Sequence, residues 1–379
     1  MSKSLPKTDS KSKKNSDKTF FQKNKKYWPL ILLLIFAGFL AGHLPVVFSK
    51  KYQNASKMTK TSQARQTTET VKKYKFINPA LYTSTYNNVC YDELKDFSEV
   101  ITFYCKNAIQ KKDIESVSYY FRDLTNGHNI VYNENEKYIP ASLSKVPLII
   151  SVFQIAQNDP AFLSKKVKYT QSFEESYFAE HPELGHQRSF LKDGNYYSIL
   201  ELCNYMIDKS DNEATRILYN ETGFEALTKA NSKLGYTLPK NSTASTNTMT
   251  VKTYSHYFRT LYNASLLSND YSEMALEILS RADYQLGVRK AVPSNIVVSQ
   301  KFGERDTLTS PTTFEIRQLH QAAIVYYPGK HYFICIMIKG NNKQSLENVL
   351  FDLANITHKE VEHQAKSFKI PNLEKDIRD

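Results

Sequence analysis

The stretch Tyr138-Ile139-Pro140-Ala141-Ser142-Leu143-Ser144-Lys145-Val146-Pro147-Leu148-Ile149-Ile150-Ser151-Val152-Phe153 decides the fold. Its strand-like first four residues break at Pro140, and the apolar positions that follow recur at helical spacing. Val146, Leu148, Ile149, Val152, Phe153 and Ile155 supply a wide apolar face, which predicts a buried helix over 142–157. Upstream, two short apolar runs at 116–121 and 128–132 flank Leu124-Thr125-Asn126-Gly127, a hairpin signal. Downstream, helical periodicity marks 199–208, 212–219, 251–261 and 271–279. Three strand patterns follow at 296–301, 322–327 and 332–339, the last two joined by Pro328-Gly329-Lys330-His331, and a final helix is predicted over about 346–367. A strand pair, a helical middle, three strands and a closing helix imply an α+β domain. One antiparallel five-stranded sheet is expected to be flanked by helices, with the middle helices forming a second lobe.

The composition of the 379 residues is that of a globular protein, 41% hydrophobic and 23% charged, which excludes disordered and collagenous classes. The net charge of +12 invites a nucleic-acid reading, but residues 1–75 hold 17 Lys and Arg against 3 Asp and Glu, which leaves the remainder at −2. The basicity belongs to a tail, so a phosphate-binding groove is not expected. Four segments follow: a basic cytoplasmic tail at 1–27, a transmembrane signal-anchor at 28–48, a solvated stalk at 49–84 rich in Lys, Thr, Ser and Gln, and the domain itself at 85–370. The apolar run 28–48 is long enough to span a bilayer as a helix. A cleaved signal peptide is the alternative, because its strongest core, 30–42, is short. Either way the domain is expected outside the cytoplasm. Cys90 and Cys105 are spaced for a possible disulfide, whereas Cys203 and Cys335 sit in apolar runs as buried thiols. No cysteine or histidine spacing suggests a metal, and no cofactor is expected.

Three short motifs bring together a nucleophile, a proton acceptor and an anion binder. In Ser142-Leu143-Ser144-Lys145 the i, i+3 spacing places the Lys145 amine over the Ser142 hydroxyl at a helix N-terminus, where an uncharged amine can draw off the proton. Alone the pattern is weak, since S-x-x-K also occurs at Ser4, Ser10 and Ser189, and it reads equally as an N-capping serine beside a solvated lysine. Ser210-Asp211-Asn212 lies between two predicted helices and is also a plain capping sequence. Lys301-Phe302-Gly303 ends an apolar strand, where glycine allows close approach of another backbone or a ligand. The three in this order, between these elements, carry more than any one of them.

The set S-x-x-K, S-D-N and a variant of K-T-G resembles the penicillin-recognising serine hydrolases, most closely the class A β-lactamase type of domain, over about residues 90–365. The resemblance implies an acyl-enzyme on Ser142, with Lys145 as proton acceptor. Ser210 would relay a proton to the leaving nitrogen, and Asn212 would hold Lys145 and the substrate amide. Lys301 and Gly303 would line the substrate site, and the backbone N–H groups of Ser142 and Glu304 would form the oxyanion hole. The implied substrate is a β-lactam or a peptidoglycan peptide. The implied activity is of β-lactamase or D,D-carboxypeptidase type, with a transpeptidase or a catalytically decayed binding domain on the same fold as alternatives. Two departures stand out. Phe302 replaces the Thr or Ser that helps bind a substrate carboxylate, leaving Arg305 or His320 as substitutes, although His320 at the start of an apolar strand reads as structural. The glutamate that activates the deacylating water has no counterpart: between Asn212 and Tyr254 the carboxylates are Glu213, Glu221 and Glu225, all close behind the second motif.

Overall fold

Tyr332–Gly340 is apolar at almost every position, and a strand of that composition must be covered on both faces. The computed structural model, which describes residues 74–79, 92–172, 176, 189–236, 247–310 and 313–367, puts this strand at the centre of a five-stranded antiparallel sheet. In chain order the elements are α1 (Asp92–Gln110), β1 (Ser116–Asp123), β2 (Asn129–Tyr132), a 3₁₀ turn (Ala141–Ser144), α2 (Lys145–Asn158), β3 (Lys166–Lys168), β4 (Tyr196–Ser198), α3 (Ile199–Asp208), α4 (Asn212–Thr222), α5 (Phe224–Lys233), α6 (Val251–Tyr262), α7 (Asn269–Ser280), α8 (Val288–Ala291), β5 (Val298–Ser310), β6 (Thr313–Val325), β7 (Tyr332–Gly340) and α9 (Lys343–Ser367). The sheet order is β2-β1-β7-β6-β5, and β3 pairs with β4 apart from it.

The alternation of the strands feeds two cores. Phe333, Cys335 and Met337 of β7, with Ala322 and Ile324 of β6, face the helical middle and join Val146, Ile149, Leu202, Met206, Tyr254 and Phe258. Ile334, Ile336 and Ile338, with Val117, Tyr119 and Phe121 of β1, face the other way onto α1 and α9, through Ile101, Cys105, Leu350 and Leu353. Side chains two residues apart share a face, so one strand serves both layers. The middle helices start at side-chain caps: Ser198 and Glu201 form a capping box on α3, Asp211 caps α4, Thr250 caps α6 and Ser268 caps α7.

Several expectations change. The 142–157 helix begins as a 3₁₀ turn and becomes α-helical at Lys145. Helices α1 and α5 were not anticipated, and β5 and β6 are each 13 residues long, well beyond the expected 296–301 and 322–327. Cys105 is a buried free thiol in the α1 layer, not half of a disulfide; burial pushes it up to about 12. Cys203 and Cys335 are buried free thiols, while Cys90 lies outside the described residues. Residues 74–79, expected in the stalk, lie against the domain: Phe76 and Ile77 are buried, and Glu273 accepts from the backbone N–H groups of Lys75, Phe76 and Ile77 at 2.6, 2.9 and 3.0 Å. The 1–27 tail, the 28–48 span and the rest of the stalk lie outside the described residues. Among the described residues no helix is long and apolar enough to cross a membrane.

Candidate active site

The chain that delivers Ser142 is pinned before it turns. Tyr138 bridges to Met249, and the Ile139 N–H donates to Gln318 Oε1 at 3.1 Å. The Ile338 N–H donates to His320 Nδ1 at 3.3 Å, so the ring proton sits on Nε2, which meets the Ile139 carbonyl at 3.0 Å. Wholly buried, His320 is pushed down to about 4; it is an uncharged strut under the turn, not a carboxylate anchor. Ala141 then adopts φ +48°, a left-handed conformation unusual for a residue with a side chain. Ser142 follows, half-buried, and the Lys145 N–H closes the turn on the carbonyls of Ser142 and Leu143. From below, the Tyr254 hydroxyl donates to the Leu143 carbonyl at 2.9 Å.

Strand β5 is a sheet edge, and it runs directly against this turn. A Cβ on Gly303 would lie 2.7 Å from the Pro140 carbonyl oxygen and 3.2 Å from the Leu143 nitrogen, so only glycine lets the two backbones approach this closely. Glu304, next along the edge, carries an exposed side chain paired with Lys343 at 2.7 Å.

The S-D-N segment fills the remaining side. Ser210 takes φ +55° between α3 and α4, and it is held there by Asp211, whose carboxylate accepts from the Ala214 N–H at 2.9 Å, the Phe190 N–H at 2.7 Å and the Ser189 hydroxyl at 2.9 Å. Lys145 Nζ lies 2.9 Å from Asn212 Oδ1, 2.5 Å from the Ser210 carbonyl and 3.1 Å from Ser210 Oγ. Lys301 Nζ lies at the same distance, 3.1 Å, from that Ser210 Oγ. Lys145, Ser210, Asn212 and Lys301 thus meet from three distant segments, and Gly303 packs against the turn that carries Ser142, with Glu304 next along the edge. Lys145 is only 3% exposed, and burial pulls its amine down to about 7 against the opposing pull of Asp211. Lys301 is wholly buried and is held well below its ordinary value by burial, and further by repulsion from Lys145.

A profile of the β-lactamase enzyme family matches residues 103–361. The chain belongs to that family. Among solved structures the chain resembles penicillin-binding protein PBP-A at 17% identity, covering 71% of this chain and 97% of that one, with a TM-score of 0.57. A β-lactamase from Chitinophaga pinensis is 19% identical, with 70% and 99% covered and a TM-score of 0.58. The extended-spectrum β-lactamase TLA-3 is 17% identical, with 69% and 98% covered and a TM-score of 0.59. At these identities the likeness is one of fold. No curated protein matched the chain.

In this β-lactamase-family domain the third motif departs in a way that spacing could not reveal. The Phe302 ring lies face to face with Tyr284, centroids 4.1 Å apart and planes 8° from parallel, and Lys301 Nζ sits 4.2 Å from the Phe302 centroid. Tyr284, in the segment between α7 and α8, carries no motif signal. The carboxylates that follow the second motif are accounted for: Glu213 is bonded to Arg216 and Ser172, Glu221 pairs with Lys165, and Glu225 is exposed. The stretch 237–246 contains no carboxylate in its sequence and lies outside the described residues. Among the described residues no cluster of His, Cys, Asp and Glu is suited to hold a metal ion.

Proposed function

We propose that this member of the β-lactamase enzyme family is a serine acyl hydrolase of the β-lactamase and penicillin-binding type, which forms an acyl-enzyme on Ser142 with a β-lactam or a cell-wall peptide. The observation that carries the reading is the contact of Lys145 Nζ with Asn212 and Ser210, one turn from Ser142, with an amine pulled down to about 7. An amine of that kind is a competent base near neutral pH. Uncharged Lys145 takes the Ser142 hydroxyl proton as Oγ attacks the carbonyl carbon, and the backbone N–H groups of Ser142 and Glu304 stabilise the oxyanion. Donors of this kind contribute about 3 kcal/mol each to a transition state. Collapse breaks the C–N bond, and the leaving nitrogen receives a proton through Ser210. Water, or an amine in a transpeptidase, then takes the acyl group from Ser142.

Deacylation is slow in this reading, because Glu213, Glu221 and Glu225 are engaged elsewhere or exposed. Loss of a dedicated general base commonly costs ~10²–10⁴-fold. The basic 1–27 tail and the apolar 28–48 run support a single-pass membrane protein with a cytoplasmic N-terminus and the domain outside. Incubating the purified chain with benzylpenicillin and following intact mass tests the chemistry. A persistent adduct, lost in Ser142→Ala, is expected. Rapid turnover without an adduct contradicts slow deacylation. Neither adduct nor turnover favours the second reading, a binding domain with decayed chemistry, to which the replaced hydroxyl at Phe302 points.

A further inference from the structure

Lys301 and Phe302 stand on the leaving-group side of the site. Ser210, which hands a proton to the leaving nitrogen, shares its Oγ with Lys301 Nζ at 3.1 Å, so a group attached to that nitrogen comes up against Lys301 and whatever covers it. A lysine amine in reach would be a natural partner for a carboxylate, but this one is closed off. Lys301 is wholly buried; its Nζ also donates to the Phe302 carbonyl at 3.1 Å and lies 4.2 Å from the Phe302 ring centroid. Tyr284 holds that ring in place by stacking on it. Across the ladder Phe302 faces Gln321 of β6, which is wholly buried and tied to Gln300 and the Val288 N–H, so the neighbouring strand brings no cation to the ring. Charges further along β5 are matched: Glu304 pairs with Lys343, and Asp306 with Arg317. Burial raises the Tyr284 hydroxyl, and the carboxylates of Glu304 and Glu347 raise it further, which marks negative surroundings. A carboxylate pressed against this end of the site loses water without gaining a cation.

We propose that Phe302, backed by Tyr284, sets the substrate class: the preferred acyl donor carries no negative charge beside the scissile C–N bond. The favoured leaving group is an amine whose neighbouring carboxyl is capped as an ester or amide, as in a peptide whose chain continues past the bond, rather than one that ends in a free carboxylate. The inference rests on the acyl-enzyme reading above and uses the same step. The bond from Ser142 Oγ to the carbonyl carbon forms, the C–N bond breaks, and Ser210 delivers the proton to the nitrogen. What changes is which donors reach that step.

The test is competition for Ser142 between benzylpenicillin and its methyl ester, in the full chain as wild type, Phe302→Thr and Arg305→Gln. The two donors differ by one charge, and their adducts are told apart in intact mass by one methylene. In the wild type the ester adduct forms about tenfold faster than the acid adduct. Phe302→Thr uncovers the Lys301 amine and adds a hydroxyl, so the ratio swings about tenfold towards the acid. Packing lost with the ring slows both donors and cancels in the ratio, and the wild-type ratio stands as a test even where Phe302→Thr fails to fold. Wild-type acylation by the acid as fast as by the ester, or faster, overturns the proposal; if Arg305→Gln then removes the acid adduct selectively, the carboxylate belongs to Arg305. A ratio unchanged in Phe302→Thr overturns it too, since the ring then does not govern selection. Absence of both wild-type adducts is a different result: it removes the acyl-enzyme reading, and this inference with it.

Discussion

Ser142 owes its setting to two residues whose backbones accept what side chains usually refuse. Ala141 at φ +48° and Ser210 at φ +55° each hold a strained conformation of the kind that persists only where the surroundings over-determine it. Around Ser142 those surroundings include Gly303. Gly303→Ala places a methyl 2.7 Å from the Pro140 oxygen, and since both partners are backbone, the strand edge must move away from the turn. We expect acylation by benzylpenicillin to fall about 100-fold, the scale of an ångström-sized misplacement, with a loss of about 1–3 kcal/mol in denaturant stability from the overpacking. Acylation within a factor of two of wild type would show that the β5 edge does not set the site. The motif residues were legible in the sequence because each is a reactive or capping side chain at a fixed local spacing. Ala141 and Tyr284 were not, since a left-handed alanine and a stacking tyrosine look ordinary until their neighbours are known.

At the level of elements, α3, α4, α6 and α7 were legible because each combines an apolar stripe with a capping side chain at its start. Strands β5 and β6 were read too short. Only Arg317–Val325 of β6 has a partner on β7, and from residue 307 onward β5 and β6 pair with each other alone, as a two-stranded extension that no neighbouring strand marks in the sequence. The stalk was read too long for a related reason. Phe76 and Ile77 are two apolar residues in a polar run, and only their contacts, such as the edge-to-face pairing of Phe76 with Tyr326 at 5.4 Å, reveal their role. Glu273→Ala removes the carboxylate that accepts from three successive backbone N–H groups. We expect a loss of about 2 kcal/mol in unfolding free energy and faster trypsin cleavage after Lys75, with Ser142 acylation unchanged. Unaltered cleavage at Lys75 would count against this segment being held through Glu273.

For the whole molecule, the titration of buried histidines couples stability to pH. His320 is held at about 4, and burial also lowers His256, His331 and His358. An unfolded chain protonates its histidines as pH falls through 6.5, while the folded chain resists until lower pH. The unfolded state therefore binds more protons in that window, and stability falls with pH between 6.5 and 4. His320 alone accounts for roughly 3 kcal/mol of this. We expect the melting temperature to drop steadily between pH 7 and pH 4.5, with a shallower slope in His320→Gln. A flat profile would mean that His320 takes up its proton as readily in the folded protein as in the unfolded chain.

The order of strands and helices, the three motifs and the separation of a basic tail from a near-neutral domain follow from local pattern, because periodicity, capping and charge are properties of neighbouring residues. What came from tertiary structure is the company those residues keep: two lysines on one serine oxygen, a glycine against a turn and an aromatic stack beside a buried lysine. Burial depth and like-charge repulsion depend on segments far apart in the chain, and those two quantities decide which amine carries the proton.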